Sequence, residues 1–380
     1  EVIMLKSTIE ALADFGQSIW LDNINRVILE KGTLFEMIKL GLRGMTSNPS
    51  IFEKAVGASS DYDKKILELS AISKSAFEIY DELTMRDIQD AADIFMPVYK
   101  ETKGLDGYVS LEVSPKLAYN SEETIKEAKR LYKKVNRPNL MCKVPATKEG
   151  CSSIEELTAS GININATLIF SLQQYVNAAD AYINGLRRLL KTNTDISTVR
   201  SVASVFVSRT DTAIDCLLDK LTIAQPQKKE YFSGLKGRAA VANCELIYRK
   251  YRALLESREF KLLRGKGAGA QRVLWASTST KNPFYSDIKY VSELIAKDTI
   301  NTLPDATFAA FLDQGIIKEA LGVNASSAEN IILELKEWGI DIDKILAQLL
   351  SDGIIAFEKA FDSLLAVISK KKEELCFKGA

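Results

Sequence analysis

The 380-residue sequence contains no histidine. That absence removes the Ser-His-Asp and Cys-His catalytic systems, HExxH zinc sites and any histidine general base. Chemistry must therefore run on Lys, Asp, Glu, Tyr, Cys, Ser or Thr. A charge excess of either sign is also missing, since 50 Lys+Arg and 50 Asp+Glu give a formal net charge of +0. Nucleic-acid surfaces depend on clustered Lys and Arg, so no nucleic-acid partner is expected. No window approaches the roughly 18 uninterrupted apolar residues of a membrane span. The first six residues, EVIMLK, lack a basic stretch followed by an apolar one, so neither a signal peptide nor a membrane partner is expected. Cys142, Cys151, Cys216, Cys244 and Cys376 are odd in number and show no CxxC pairing. They read as reduced thiols in a cytoplasmic setting, with no structural metal site.

What is present is a long chain that is 46% hydrophobic, enough to bury a large core without a disulfide or metal staple. At ~150 residues per domain the length suggests two or three domains, but α/β barrels often fill this length as one. Short apolar, β-rich runs alternate with longer helical patterns, the signature of βα units around a parallel sheet. Eight strands are expected at residues 17–22, 44–48, 108–113, 140–145, 162–169, 202–207, 273–277 and 299–303. Helical patterns lie between them at 84–103, 121–134, 172–190 and 235–257, and Ser121 is expected to cap the second of these. Eight alternations favour a (β/α)8 TIM barrel with additional helices over a doubly wound sheet. The whole of 1–380 is expected to form one domain. Residues 225–272 would be a mostly helical insertion and 354–375 an outer C-terminal helix. The glycines in Gly265-Lys266-Gly267-Ala268-Gly269 superficially resemble a phosphate loop, but a strand follows them instead of a helix. A phosphate loop needs the reverse order, so a turn is expected there.

In a barrel the active site lies at the C-terminal strand ends. Ionisable residues in or just after the apolar strands are Asp22, Glu112 and Lys143. Singly, each has a structural explanation: an Asp can cap the next helix, a Glu can balance a Lys, and a Lys can snorkel. Together they point to catalysis, because buried charge is costly unless paired or functional. A lysine amine becomes nucleophilic when an apolar setting or nearby cation lowers its pKa, and it then condenses with a carbonyl as a Schiff base. The imine withdraws electrons so that an adjacent carbon–carbon bond can break, while two carboxylates move protons. Neither metal nor cofactor is required.

Six pieces carry a resemblance, in this order: GQSIWLD at 16–22, TSNPSIFEKA at 46–55, SLEVSP at 110–115, KVPAT at 143–147, GININATLIFS at 161–171 and ASTSTKNP at 276–283. Together they resemble the transaldolases, of the longer bacterial type, along most of the chain. The resemblance implies a class I aldolase barrel that moves a dihydroxyacetone unit between sugar phosphates in the pentose phosphate pathway. It implies Lys143 as the Schiff-base residue and Asp22 as acceptor of the C4 hydroxyl proton. Glu112 and Thr167 would hold the water of imine formation and hydrolysis. Asn48, Asn165 and Ser204 would hydrogen-bond the dihydroxyacetone hydroxyls, and Arg209, Lys281 and Ser277 would hold the phosphate.

The residues themselves leave alternatives open. Arg209 follows an apolar strand, where a fork of donors suits a phosphate, or it pairs with Asp211. Lys281 stands where shorter relatives carry an arginine, and offers a point charge in place of a bidentate clamp. Asn48 before Pro49 is also ordinary turn chemistry. Asn165 and Thr167 share one strand face, which suits a common pocket or a polar interior layer. Cys142 should point away from Lys143 into packing, and Trp20 and Phe206 are expected as pocket walls. Two other functions compete with transfer: an aldolase releasing free dihydroxyacetone, and a non-catalytic barrel binding sugar phosphates. Oligomeric state and acceptor preference stay open.

Overall fold

Alternation along the strands decides the architecture. The structure, a computed structural model, describes residues 6–322 and 325–378. Eight parallel strands close into a barrel in chain order: β1 (Gln17–Leu21), β2 (Leu42–Thr46), β3 (Val109–Glu112), β4 (Leu140–Pro145), β5 (Ile164–Ile169), β6 (Ser201–Phe206), β7 (Gln271–Ala276) and β8 (Thr299–Leu303). Closure is made by β1 against β8, with Gln17 opposite Thr299 and Leu21 opposite Leu303. Along each strand one set of alternate residues faces the helices. Ile19, Leu21, Leu140, Cys142, Val144, Val273 and Trp275 pack in the large core between sheet and helices. The other set, including Trp20, Met141, Val202, Leu274 and Ile300, fills the barrel interior. This is the packed centre of a (β/α)8 barrel. Trp20 fits because its neighbour across β1–β2 is Gly44. A Cβ on Gly44 would lie 2.6 Å from the indole ring.

The helices begin and end where local chemistry dictates, and this moves several expected bounds. The helix expected at 84–103 runs Ala76–Glu101, because Ser75 and Glu78 form a capping box that starts it earlier. The helix Ser121–Val135 is capped by Asn120, whose side chain accepts the Glu123 N–H, so Ser121 is the first helical residue and not the cap. The helix Leu172–Leu190 starts at a Ser171/Gln174 capping box, as its spacing implied. The single helix expected at 235–257 is two, Lys229–Leu235 and Ala239–Glu256. Gly237 takes a left-handed φ of 69° between them. Asp215 accepts the Gly237 N–H and Asp211 the Ala240 N–H, so two carboxylates on the helix Ser208–Ala224 hold this corner. The glycine cluster at 265–269 is the turn between the helix Arg258–Arg264 and β7.

The largest departure is at the C-terminal end. The helix expected at 354–375 runs Ile342–Lys378. Gly353 sits inside it and does not end it. A Cβ there would meet Leu168 Cδ2 at 3.1 Å, so the missing side chain lets the helix approach β5 closely. The helix packs on Pro49–Ala58, Asp63–Ala71 and Ala76–Glu101, and Lys371 is paired with Asp63 at 2.6 Å. Phe357 from this helix faces the Lys143 ammonium at 5.9 Å. It is therefore more than an outer helix. None of the described helices is long and apolar enough to cross a membrane.

Candidate active site

In a parallel sheet, residues in register on neighbouring strands point the same way. Glu112 is in register with Lys143, and Lys143 with Asn165, so three polar side chains from β3, β4 and β5 stand side by side in the upper barrel interior. Lys143 Nζ lies 3.4 Å from Glu112 Oε2 and donates to the Ser47 carbonyl at 3.1 Å. Both side chains are buried. Asn165 Nδ2 donates to Ser110 Oγ at 3.0 Å, and its Oδ1 accepts from Ser204 Oγ at 2.6 Å. This chain of donors fixes which way the Asn165 amide points. Cys142, one residue from Lys143, turns outward and meets the Ala128 carbonyl, as alternation requires.

Asp22 follows β1 and accepts from Thr46 Oγ1 at 2.9 Å. Thr46 in turn lies 2.8 Å from Thr302 Oγ1, so β1, β2 and β8 meet around one carboxylate. Burial raises the Asp22 carboxyl above the ordinary aspartate value, against the pull of the Lys143 ammonium and the Thr46 hydroxyl. Burial likewise pushes Glu112 up to about 7, and the adjacent Lys143 offsets only part of that. Both carboxyls are thereby shifted toward the range where proton transfer is effective near neutrality. Glu112 Oε1 and Thr167 Oγ1 are buried without a hydrogen-bond partner among the described residues, and Glu112 Oε2 has only the Lys143 ammonium. Such orphaned acceptors are rare in native interiors and mark a place for a polar guest.

Above this layer opens a cavity of about 280 Å³ at the C-terminal strand ends. Of the ten residues expected from the sequence, seven line it: Asp22, Asn48, Lys143, Ser204, Arg209, Ser277 and Lys281. Glu112, Asn165 and Thr167 lie in the buried layer beneath. Asn48 caps the helix Pro49–Ala58 by accepting the Ile51 N–H, so turn chemistry and a pocket position coexist in one residue. Arg209 makes no pair with Asp211, which instead accepts from Tyr290 and Ala240. Its guanidinium lies 5.7 Å from the Phe206 ring and faces the cavity. Ser277 holds a left-handed φ of 54° beside the cavity, and Lys281 bonds Ser279 at 2.7 Å. Arg209, Lys281 and Lys54 give the cavity three cations at its rim, a setting for a phosphate.

A family model described as Transaldolase/Fructose-6-phosphate aldolase matches residues 19–368. The chain belongs to this family. It is 45% identical over 377 residues to a transaldolase of Trichodesmium erythraeum, covering 98% of this chain and 99% of that protein. A transaldolase of Saccharopolyspora erythraea is 42% identical over 370 residues, 97% of this chain and 98% of the relative. One from Mycobacterium bovis is 41% identical over 358 residues, 93% and 94% of the two chains. Likeness of this length leaves no part of the barrel unaccounted for, and the chain is an enzyme of the transaldolase family.

Against that family background the structure adds residues to the site and removes one. Trp20 does not wall the cavity; its Nε1–H points toward the opposite barrel mouth and donates to Asp106 at 3.1 Å. Phe206 does line the cavity, as expected. Thr46, Lys54, Thr302 and Phe357 line it too and were not expected. Thr46 had a signal: it lies two residues before Asn48 in a strand, and period-two alternation puts it toward the same end. Phe357 had none, because nothing in its own helix distinguishes a ring over an amine from a ring in the core.

Proposed function

We propose that this enzyme transfers a dihydroxyacetone unit from a ketose phosphate to an aldose phosphate through an imine on Lys143. Fructose 6-phosphate and erythrose 4-phosphate would interconvert with sedoheptulose 7-phosphate and glyceraldehyde 3-phosphate. The observation that carries the reading is the buried Lys143 beside Glu112, in a layer with Asn165, beneath a cavity whose rim carries cations.

The steps follow from position. The Lys143 amine attacks the ketone C2, and the carbinolamine loses water as Glu112 supplies the proton. Asp22 takes the proton of the C4 hydroxyl, the C3–C4 bond breaks, and its electrons pass into the imine to leave an enamine. The first aldose departs and an acceptor aldehyde takes its place, after which the same steps run backward. Asn48, Asn165 and Ser204 hold the hydroxyls of the three-carbon unit, and Arg209, Lys281 and Ser277 hold the phosphate. The unpartnered oxygens of Glu112 and Thr167 support a role in carrying the water of imine formation and hydrolysis. Five free thiols support a cytoplasmic setting for the reaction.

The Phe357 ring over Lys143 favours transfer over release of free dihydroxyacetone, because it covers the enamine. Borohydride reduction with fructose 6-phosphate, followed by peptide mass mapping, tests the reading. A reduced three-carbon adduct is expected on Lys143 and none in Lys143→Ala. In Asp22→Ala the imine should still form while cleavage slows by about 10²–10⁴. Normal transfer by that variant, or rapid multiple turnover to free dihydroxyacetone without an acceptor, would overturn the assignment.

A further inference from the structure

The barrel mouth opposite Lys143 holds a second cavity of about 740 Å³. That volume falls in the range of small-molecule sites. Its floor is a saturated ion pair. Arg272 lies 3.0 Å from Asp106 and also donates to Ser18 Oγ at 2.7 Å and the Thr299 carbonyl at 2.9 Å. Asp106 accepts as well from Ser18 at 2.7 Å and Trp20 at 3.1 Å. The floor therefore presents no unspent charge.

The walls do. Arg43, Arg200 and Arg264, with Lys103, line the same cavity, and among the described residues none has a carboxylate within 4.0 Å. Arg200 donates only to the Ser197 and Val199 carbonyls, and Arg264 to the Leu255 carbonyl. The other wall carboxylates are already occupied, Asp14 by Lys6 and Asp298 by Arg252. Asp195 acts on Arg200 and Glu256 on Arg264 from beyond ion-pair contact, so the four cations keep only distant counter-charge. Cations gathered in a partly enclosed space without a contacting carboxylate raise the local anion concentration. Guanidinium forks match phosphate oxygens in pairs.

We propose that this N-terminal mouth binds a small polyanion of the diphosphate class, at a site separate from the reacting lysine. Two guanidiniums on different walls suit two linked phosphates better than one. Arg43 belongs to β2 and Arg200 precedes β6, so such a ligand ties together opposite sides of the barrel.

Arginine-selective labelling of the intact enzyme with phenylglyoxal, read by peptide mass mapping, tests this with inorganic pyrophosphate as the probe. Labelling of Arg43 and Arg200 should slow at least fivefold, while the exposed Arg258 reacts unchanged. Protection of Arg209 alone would place the anion in the reaction site and overturn the proposal. Calorimetric titration of pyrophosphate into an Arg209→Ala/Lys281→Ala variant should still give one equivalent bound. Adding Arg43→Gln and Arg200→Gln should weaken that binding at least tenfold. No binding to the first variant, or equal binding to both, would also overturn it. Competition by adenosine diphosphate or fructose 1,6-bisphosphate would assign the site to an organic diphosphate, and its absence to the inorganic one. The labelling arm uses the unsubstituted protein, so it does not depend on any variant folding.

Discussion

Glu112 shows how burial alone moves a carboxyl toward neutrality. It sits in register with Lys143, which is its only polar partner among the described residues and lies 3.4 Å from Oε2, and burial pushes it up to about 7. If its protonated form gives a proton to the carbinolamine hydroxyl, which then leaves as water, the rate of imine formation should fall as pH rises through about 7. Glu112→Gln cannot titrate, so that limb should disappear and trapping should slow by about 10²–10⁴. A pH limb that survives unchanged in the variant would remove Glu112 from the step. At this scale the sequence was readable where a charge interrupts an apolar strand, as at Asp22, Glu112 and Lys143. It was unreadable where an ordinary residue comes to line the cavity by position. Thr46 is a plain strand threonine until Asp22 and Thr302 arrive beside it from strands near the two ends of the barrel order.

Among the elements, the helix Ile342–Lys378 bears most directly on function. Truncating its Phe357 to Ala removes the ring facing Lys143 and the cavity wall it shares with Phe206. A larger fraction of turnovers should then end as free dihydroxyacetone, measured against transfer in the presence of erythrose 4-phosphate. Stability should fall by about 3 kcal/mol if the gap does not collapse. An unchanged product ratio would show that the ring has no part in excluding water.

The corner at Gly237 gives a second expectation at this scale. Burial raises Asp211 from 3.8 to about 6, while the Ala240 N–H and Tyr290 hydroxyl pull it down. A folded pKa above the unfolded one means that folding binds a proton. That stability is present at low pH and is lost as pH rises through about 6. Asn does not titrate, so the stability of the unsubstituted protein relative to Asp211→Asn should decline by on the order of 1 kcal/mol between pH 5 and 8. Urea unfolding at the two pH values checks this, and a gap that widens with pH would contradict it. The strands were the most legible elements, because runs such as those at 140–145 and 202–207 are predominantly apolar on both faces, with Lys143 and Ser204 the exceptions. Helix starts were less so. The spacing of apolar residues marks a helix body, but the Ser75/Glu78 box and the Asn120 cap decide its first turn.

For the molecule as a whole, closure of the sheet brings Gln17 against Thr299 and puts the barrel under one interlocked interior. The Arg272–Asp106 pair, with both side chains mostly buried, is the polar seal at one end. Arg272→Ala would leave Asp106 in the interior with only Ser18 and Trp20 as donors. Loss of one partner of a buried pair typically costs about 3–5 kcal/mol, so a marked drop in melting temperature is expected. A melting temperature within a degree or two of the unsubstituted protein would mean that water reaches Asp106 freely. Barrel class was legible from eight alternations. The sealing of one end was not, because Arg272 lies near the start of its strand like many a surface arginine and Asp106 lies in a connecting loop. Their meeting depends on three-dimensional closure.

The position of Phe357 in the order of synthesis has a consequence for biogenesis. All eight strands leave the ribosome before the ring that faces the Lys143 amine is made. The face over Lys143 is therefore completed last in the order of synthesis, by the helix Ile342–Lys378.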